Sequence, residues 1–194
     1  MKVQNESESD PEKAYQDALN LPLQRPSGGG CPRASGLRRA AFGLAKKNPS
    51  LAKAAMNEAR RLAQDLDPYD QAIVLQSVPE FYLKLEDEDG ARAAIKDYMK
   101  LAEKLYASDT DSSDPNLAFK GAWPSTNAWR TSIQQAGQIS PQFAEELLQG
   151  IQDPEIAGFE RVIYAHTLLG AGKSSVATCD CHKNGKRRAI YMTQ

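Results

Sequence analysis

The sequence has no apolar run long enough to cross a bilayer, which excludes a transmembrane helix. It carries no secretory leader as it stands, because the opening MKVQNESESDPEKAY has one Lys and no apolar segment. Cysteine is scarce. Cys31, Cys179 and Cys181 are an odd, scattered set, which excludes a disulfide-stapled fold and predicts a reducing, cytoplasmic setting. Export is the alternative if the chain belongs to a longer precursor. Neither sign of charge dominates: 24 basic residues meet 25 acidic ones, for a net charge of −1. No general field therefore draws the chain to nucleic acid or to an anionic membrane. No segment sustains a two-residue alternation, which argues against half-buried strands. Only two histidines are present, so the usual pairing of base and nucleophile has little to work with.

What the chain does have is helical periodicity broken by Pro, Asp-Pro and Gly. Residues 1–10 are polar and acidic and read as disordered. Asp10-Pro11 then opens a short helix through Ala14, Ala18 and Leu19, and the segment LPLQRPSGGGCP, Leu21 to Pro32, reads as a linker. Helices follow from about Arg33 to Lys47, and from Pro49 through Leu51, Ala55, Ala59, Leu62 and Leu66. A third opens after Asp67-Pro68 and carries Ala72, Leu75, Val78, Tyr82 and Leu85, with Pro79 expected to kink or divide it. The fourth has the cleanest stripe: Ala91, Ala94, Ile95, Tyr98, Leu101, Ala102 and Leu105. A non-periodic insert is read over Ala107 to Ser125, with Ser125 or Thr126 capping the next helix, which runs through Trp129, Ile133 and Ala136. Ser140-Pro141 and Asp153-Pro154 open two more. The last of these is given the stripe Ile156, Phe159, Val162, Ile163, His166 and Leu169, ending at Gly170.

The fold class is therefore all-α. Starts near 33, 50, 69 and 89 place successive pairs 36 to 39 residues apart, a helix-turn-helix repeat length. Leu75, Val78, Tyr82, Ala91 and Ile95 loosely resemble a tetratricopeptide repeat, although Pro79 and Tyr98 occupy places that want small residues. The expected architecture is an α-α superhelix of tetratricopeptide-like antiparallel pairs with one long aromatic insert. Its parts are a flexible segment at 1–32 with a short helix and a Gly/Pro linker, a helical-repeat domain at 33–171 and a basic, disordered tail expected at 172–194.

Three motifs bear on chemistry. LLGAGKSS, Leu168 to Ser175, looks like a phosphate loop, but the required first glycine is Thr167, and a helix precedes the motif where a strand should. It reads as a helix end with Lys173 near the negative pole of the dipole. CDCH, Cys179 to His182, offers thiolates and an imidazole to zinc, yet only Cys31 and His166 remain as distant donors, and no metal is assigned. A metal protein using this tail, or an enzyme of unidentified type, is the alternative reading. Asp109, Asp111 and Ser113 resemble the start of a calcium loop that Asp114 and Lys120 spoil.

The insert ends in both tryptophans. Either Phe119 and Trp123 plug the groove between helix pairs, the favoured reading, or Phe119, Trp123, Trp129 and Arg130 form a partner-binding surface. Arg38, Arg39, Arg60 and Arg61 read as exposed, Glu86 to Asp89 as a solvated turn and helix start, and His166 as a buried residue.

DPNLAFKGAWPSTNAWR, followed by ISPQFAEELLQGIQDPEIAGFERVIYAHTLLGA, resembles uncharacterised helical-repeat proteins of the acidobacterial type. The likeness covers about Arg33 to Ala171 and is most specific at Trp123 to Thr126. It implies an α-α superhelical fold, no catalytic residues, and relatives that are often longer and exported. The sequence thus predicts a non-enzymatic interaction module for a protein or peptide, with no cofactor.

Overall fold

A computed structural model of the chain describes residues 10–24, 30–110 and 120–170. All regular structure among the described residues is helical. The helices are α1 (Pro11–Leu19), α2 (Pro32–Leu44), α3 (Pro49–Ala63), α4 (Pro68–Leu75), α5 (Val78–Lys84), α6 (Glu88–Thr110), α7 (Pro124–Ile139), α8 (Pro141–Gly150) and α9 (Pro154–Gly170). A 3-10 turn, Lys120–Ala122, precedes α7.

Proline sets most of these starts. Every helix but α6 and α9 carries Pro at N1 or N2 with a defined cap residue before it, and α9 also begins on Pro154. The ring fixes φ near the helical value, and the missing N–H is one that the first turn leaves unpaired anyway. Asp10, Asn48, Asp67 and Ser140 accept first-turn amides with their side chains. Cys31 does the same for α2 through its sulfur, 3.3 Å from the Ala34 nitrogen. Pro79 divides the third predicted helix rather than bending it, and sits in the first turn of α5.

Neighbours in sequence pack as neighbours in space: α1 on α2, α2 on α3, α6 on α7 and α7 on α8, with α9 reaching back to α7. The α2–α3 seam is alanine-rich. Ala34, Ala40, Ala41, Ala52, Ala55 and Ala59 are all fully buried, so the two backbones can approach closely. Helix α1, set apart in sequence by the Gly/Pro segment, lies against α2 with Ala14 and Ala18 at 0% exposure. Three apolar clusters follow one another along the chain. One holds Ala18, Leu37 and Leu62, a second Leu44, Met56 and Phe81, and the largest Ile95, Leu105, Trp129, Ile133, Leu148 and Ile156. Leu75 at the end of α4 touches all three and joins them into one core.

Three expectations need correction. Helix α6 continues to Thr110, past the predicted start of the insert at Ala107, because Asp109 extends the buried stripe one turn beyond Leu105. Helix α7 begins at Pro124 with Trp123 at the cap position, and Ser125 and Thr126 are buried inside its first turn. The stripe of α9 is out of phase with the sequence reading. Ile156, Ala157, Glu160 and Tyr164 are buried, whereas His166 is exposed and Val162 and Leu169 are 68% and 63% exposed. The apolar residues of α9 surround the helix, so periodicity alone did not define its inner face.

Gly137 of α7 lies under the Tyr164 ring. A methyl group there would stand 2.7 Å from Tyr164 Cε2 and 2.8 Å from its hydroxyl oxygen. Gly137→Ala is therefore expected to cost about 1–3 kcal/mol in urea unfolding, overpacking outweighing the gain in helix propensity. A more stable variant would show that Tyr164 does not rest there.

Candidate functional site

Polar groups meet accessible surface at the turn before α7 and in a groove further back along the chain. Trp123 is 8% exposed and Trp129 is 4% exposed. Between them stands Tyr106 of α6, its ring 5.8 Å from that of Trp123 and 5.5 Å from that of Trp129. The tilted stack fills the space between α6 and α7.

Three carboxylates fix the same region. Asp109 is 2% exposed. Its oxygens accept from Tyr69 Oη at 3.2 Å and from the Ser125 amide at 2.9 Å. It therefore performs, from another helix, the capping that the Trp123 side chain does not supply. Asp153 caps α9 by accepting from the Glu155 and Ile156 amides at 2.9 and 3.3 Å. Its other oxygen accepts from Tyr106 Oη at 2.9 Å and from Lys120 Nζ at 3.0 Å. Lys120 also pairs with Glu155 at 2.9 Å. Burial pushes the Asp153 carboxyl up, but Lys120, Tyr106 and the two amides outweigh it and hold the group at about 2. Glu160, 1% exposed, takes Arg130 Nη2 at 2.8 Å and Nε at 3.2 Å. Burial raises its pKa more than Arg130 lowers it. Arg130 also donates to the Gly121 carbonyl and to Asn127 Oδ1, and lies over the Phe159 ring.

Of the residues assigned to a partner surface, Phe119 lies outside the described residues. Trp123 and Trp129 are packed inward and Arg130 is bound to Glu160, so these three are engaged within the fold. A cavity of about 260 Å³ lies beside Tyr106, Trp129 and Asp153. Lys173, Cys179, Cys181 and His182 lie outside the described residues, as do Asp111, Ser113 and Asp114. No three His, Cys, Asp or Glu side chains are grouped to hold a metal among the described residues. Cys31 is buried as a cap, and no described helix is long and apolar enough to cross a membrane.

The groove, of about 330 Å³, lies among α3 to α6. Leu75, Val78, Ala94 and Leu101 supply its apolar lining. Arg60, Lys100 and Lys104 line it with positive charge, Gln64 and Gln71 with amides, and Asp97 is its single carboxylate. Asp97 is shared, 2.9 Å from Arg60 Nη2 and 3.7 Å from Lys100 Nζ. Arg60 also donates to Tyr82 Oη of α5 at 3.4 Å, so the guanidinium is held to α5 as well as to α6. The arginines read as exposed thus divide: Arg39 and Arg61 are exposed, while Arg60 and Arg38 are half-buried and bonded across helices, Arg38 to Ser77 Oγ at 2.9 Å. Sequence reading missed this groove because its residues come from four helices, α3 to α6, and no spacing links them.

Comparison with known protein families, with curated proteins and with solved structures finds no match for this chain.

Asp153→Asn keeps a capping oxygen and removes the charge. It is expected to cost about 1–2 kcal/mol at neutral pH, less than the full shift because Lys120 reaches water. Since the folded pKa lies below the ordinary value of 3.8, the difference should be full above about pH 5 and fade as pH falls through about 2. A difference that stays constant across acid titration would exclude this role. Arg130→Met should cost about 3–5 kcal/mol by stranding Glu160, and Glu160→Gln under about 1.5 kcal/mol because Arg130 keeps its other bonds. Equal losses in denaturant melts would contradict the asymmetry.

Proposed function

We propose that the chain is a non-enzymatic interaction module that binds an acidic peptide segment in the groove among α3 to α6. The observation that carries this reading is the groove's composition, three cations to one carboxylate over an apolar floor. Side chains of alternating Leu and Glu character would bury the former on Leu75 and Leu101 and set the latter against Lys100 and Lys104. Gln64 and Gln71 would hydrogen-bond the peptide backbone, since a primary amide both donates and accepts. Lys104 has no ion-pair partner among the described residues, so its charge is available to a ligand. We read the helical layer as a tetratricopeptide-like α-α superhelix of the acidobacterial helical-repeat type, in which a surface between successive pairs receives a ligand. The paired carboxylates and the aromatic turn take no part in binding on this view.

Fluorescence anisotropy with a labelled Glu- and Leu-rich peptide should show saturable binding that weakens as salt rises. Lys100→Glu/Lys104→Glu should reduce affinity at least about tenfold, the size of one lost charge-assisted contact of about 1.4 kcal/mol. Unchanged binding by that variant, or equal binding of a Lys- and Leu-rich peptide, would rule the groove out.

A further inference from the structure

The outward side of α9 has a pattern that the described residues do not use. Gly158, Val162, Ala165 and Leu169 follow one another at steps of four, three and four, the spacing of a coiled-coil seam. All four are exposed, and they lie across the helix from the buried Ile156, Glu160 and Tyr164. A helix that is apolar on both sides is ordinarily covered on both sides. Val162 and Leu169 are 68% and 63% exposed, among the most exposed large apolar residues described. Gly158 adds an independent sign. A methyl group built there meets nothing within 4 Å, so no packing within the described fold requires glycine at a position where it weakens the helix.

We infer that this face is an isologous dimer contact, in which α9 packs antiparallel against α9 of a second copy. The pattern is complementary to itself. When two such stripes run antiparallel about a two-fold axis between Ile163 and Tyr164, Leu169 of one copy faces Gly158 of the other and Val162 faces Ala165. Each large side chain meets a small one in every layer, which is the large-into-small interdigitation that lets two backbones approach. No charged residue occupies the stripe, so nothing in it opposes desolvation. A partner of other sequence would not need this mirror order of small and large positions. The helix has 17 residues and is about 25 Å long. A single helix pair of that length is a small contact beside the roughly 1,200–2,000 Å² of a stable interface, which makes the dimer a weak, concentration-dependent one. The contact lies on a different helix from the peptide groove, and neither reading rests on the other.

Sedimentation equilibrium of the full chain, from low micromolar to several hundred micromolar, tests the inference. The weight-average mass should climb from the 21.3 kDa of one chain toward twice that value and no further, because a two-fold contact closes. Val162→Arg should hold the mass at the single-chain value throughout with unchanged helical circular dichroism, while Gln149→Arg, an exposed change on α8, should behave as wild type. A wild-type mass that never rises would overturn the dimer, and is also the result expected if residues 171–194 cover the stripe. Growth past two copies, or association that survives Val162→Arg, would equally overturn it.

Discussion

A carboxylate withdrawn from water must find donors, and three such groups organise the second half of this fold. Asp109, Asp153 and Glu160 sit on α6, before α9 and within α9. Each accepts from a residue of another element: Tyr69 and the Ser125 amide, Tyr106 and Lys120, and Arg130. The turn that enters α7 is thereby bound to the helices before and after it. The Tyr106, Trp123 and Trp129 rings fill the space that these bonds enclose. With the charges of the turn so engaged, the region acts as a clamp.

The sequence made the local breaks legible. Asp-Pro, Asn-Pro and Ser-Pro pairs state a helix start twice over, once by capping and once by fixed φ, and those at Asp10, Asn48, Asp67, Ser140 and Asp153 mark starts in the structure. The stripe of α6 was equally plain, since its alanines and leucines leave the outer face to charge. Helix α9 was not legible. Its apolar residues encircle it, and only the neighbour contributing Arg130 decides that Glu160 faces inward and His166 outward. One sign was present in the sequence: Glu160 stands midway between Ile156 and Tyr164 at four-residue steps, in phase with both. The cap of α7 was hidden for a related reason. Its acceptor, Asp109, comes from 16 residues earlier, and no nearest-neighbour pattern finds a cap supplied by another helix.

The candidate site divides along the same line. Aromatic residues near the insert read both as a plug of Phe119 and Trp123 and as a partner surface; Trp123 is buried against Tyr106, and Phe119 lies outside the described residues. The groove required the assembled α3 to α6, since single basic positions on separate helices carry no motif. On the proposed reading, groove and outward α9 stripe are separate surfaces of one array. Two grooves linked by a weak dimer would bind a ligand with two acidic segments more tightly than either alone, through effective concentration rather than new contacts.

The clamp is tested most directly by native-state hydrogen exchange of the amides that the carboxylates hold. Ser125 donates to Asp109, and Glu155 and Ile156 donate to Asp153. These three N–H groups should exchange only with global unfolding, at the free energy of the Ile133 and Leu148 core amides. Exchange at the rate of an open coil would show the turn opening on its own, and would contradict the central role given to the three carboxylates.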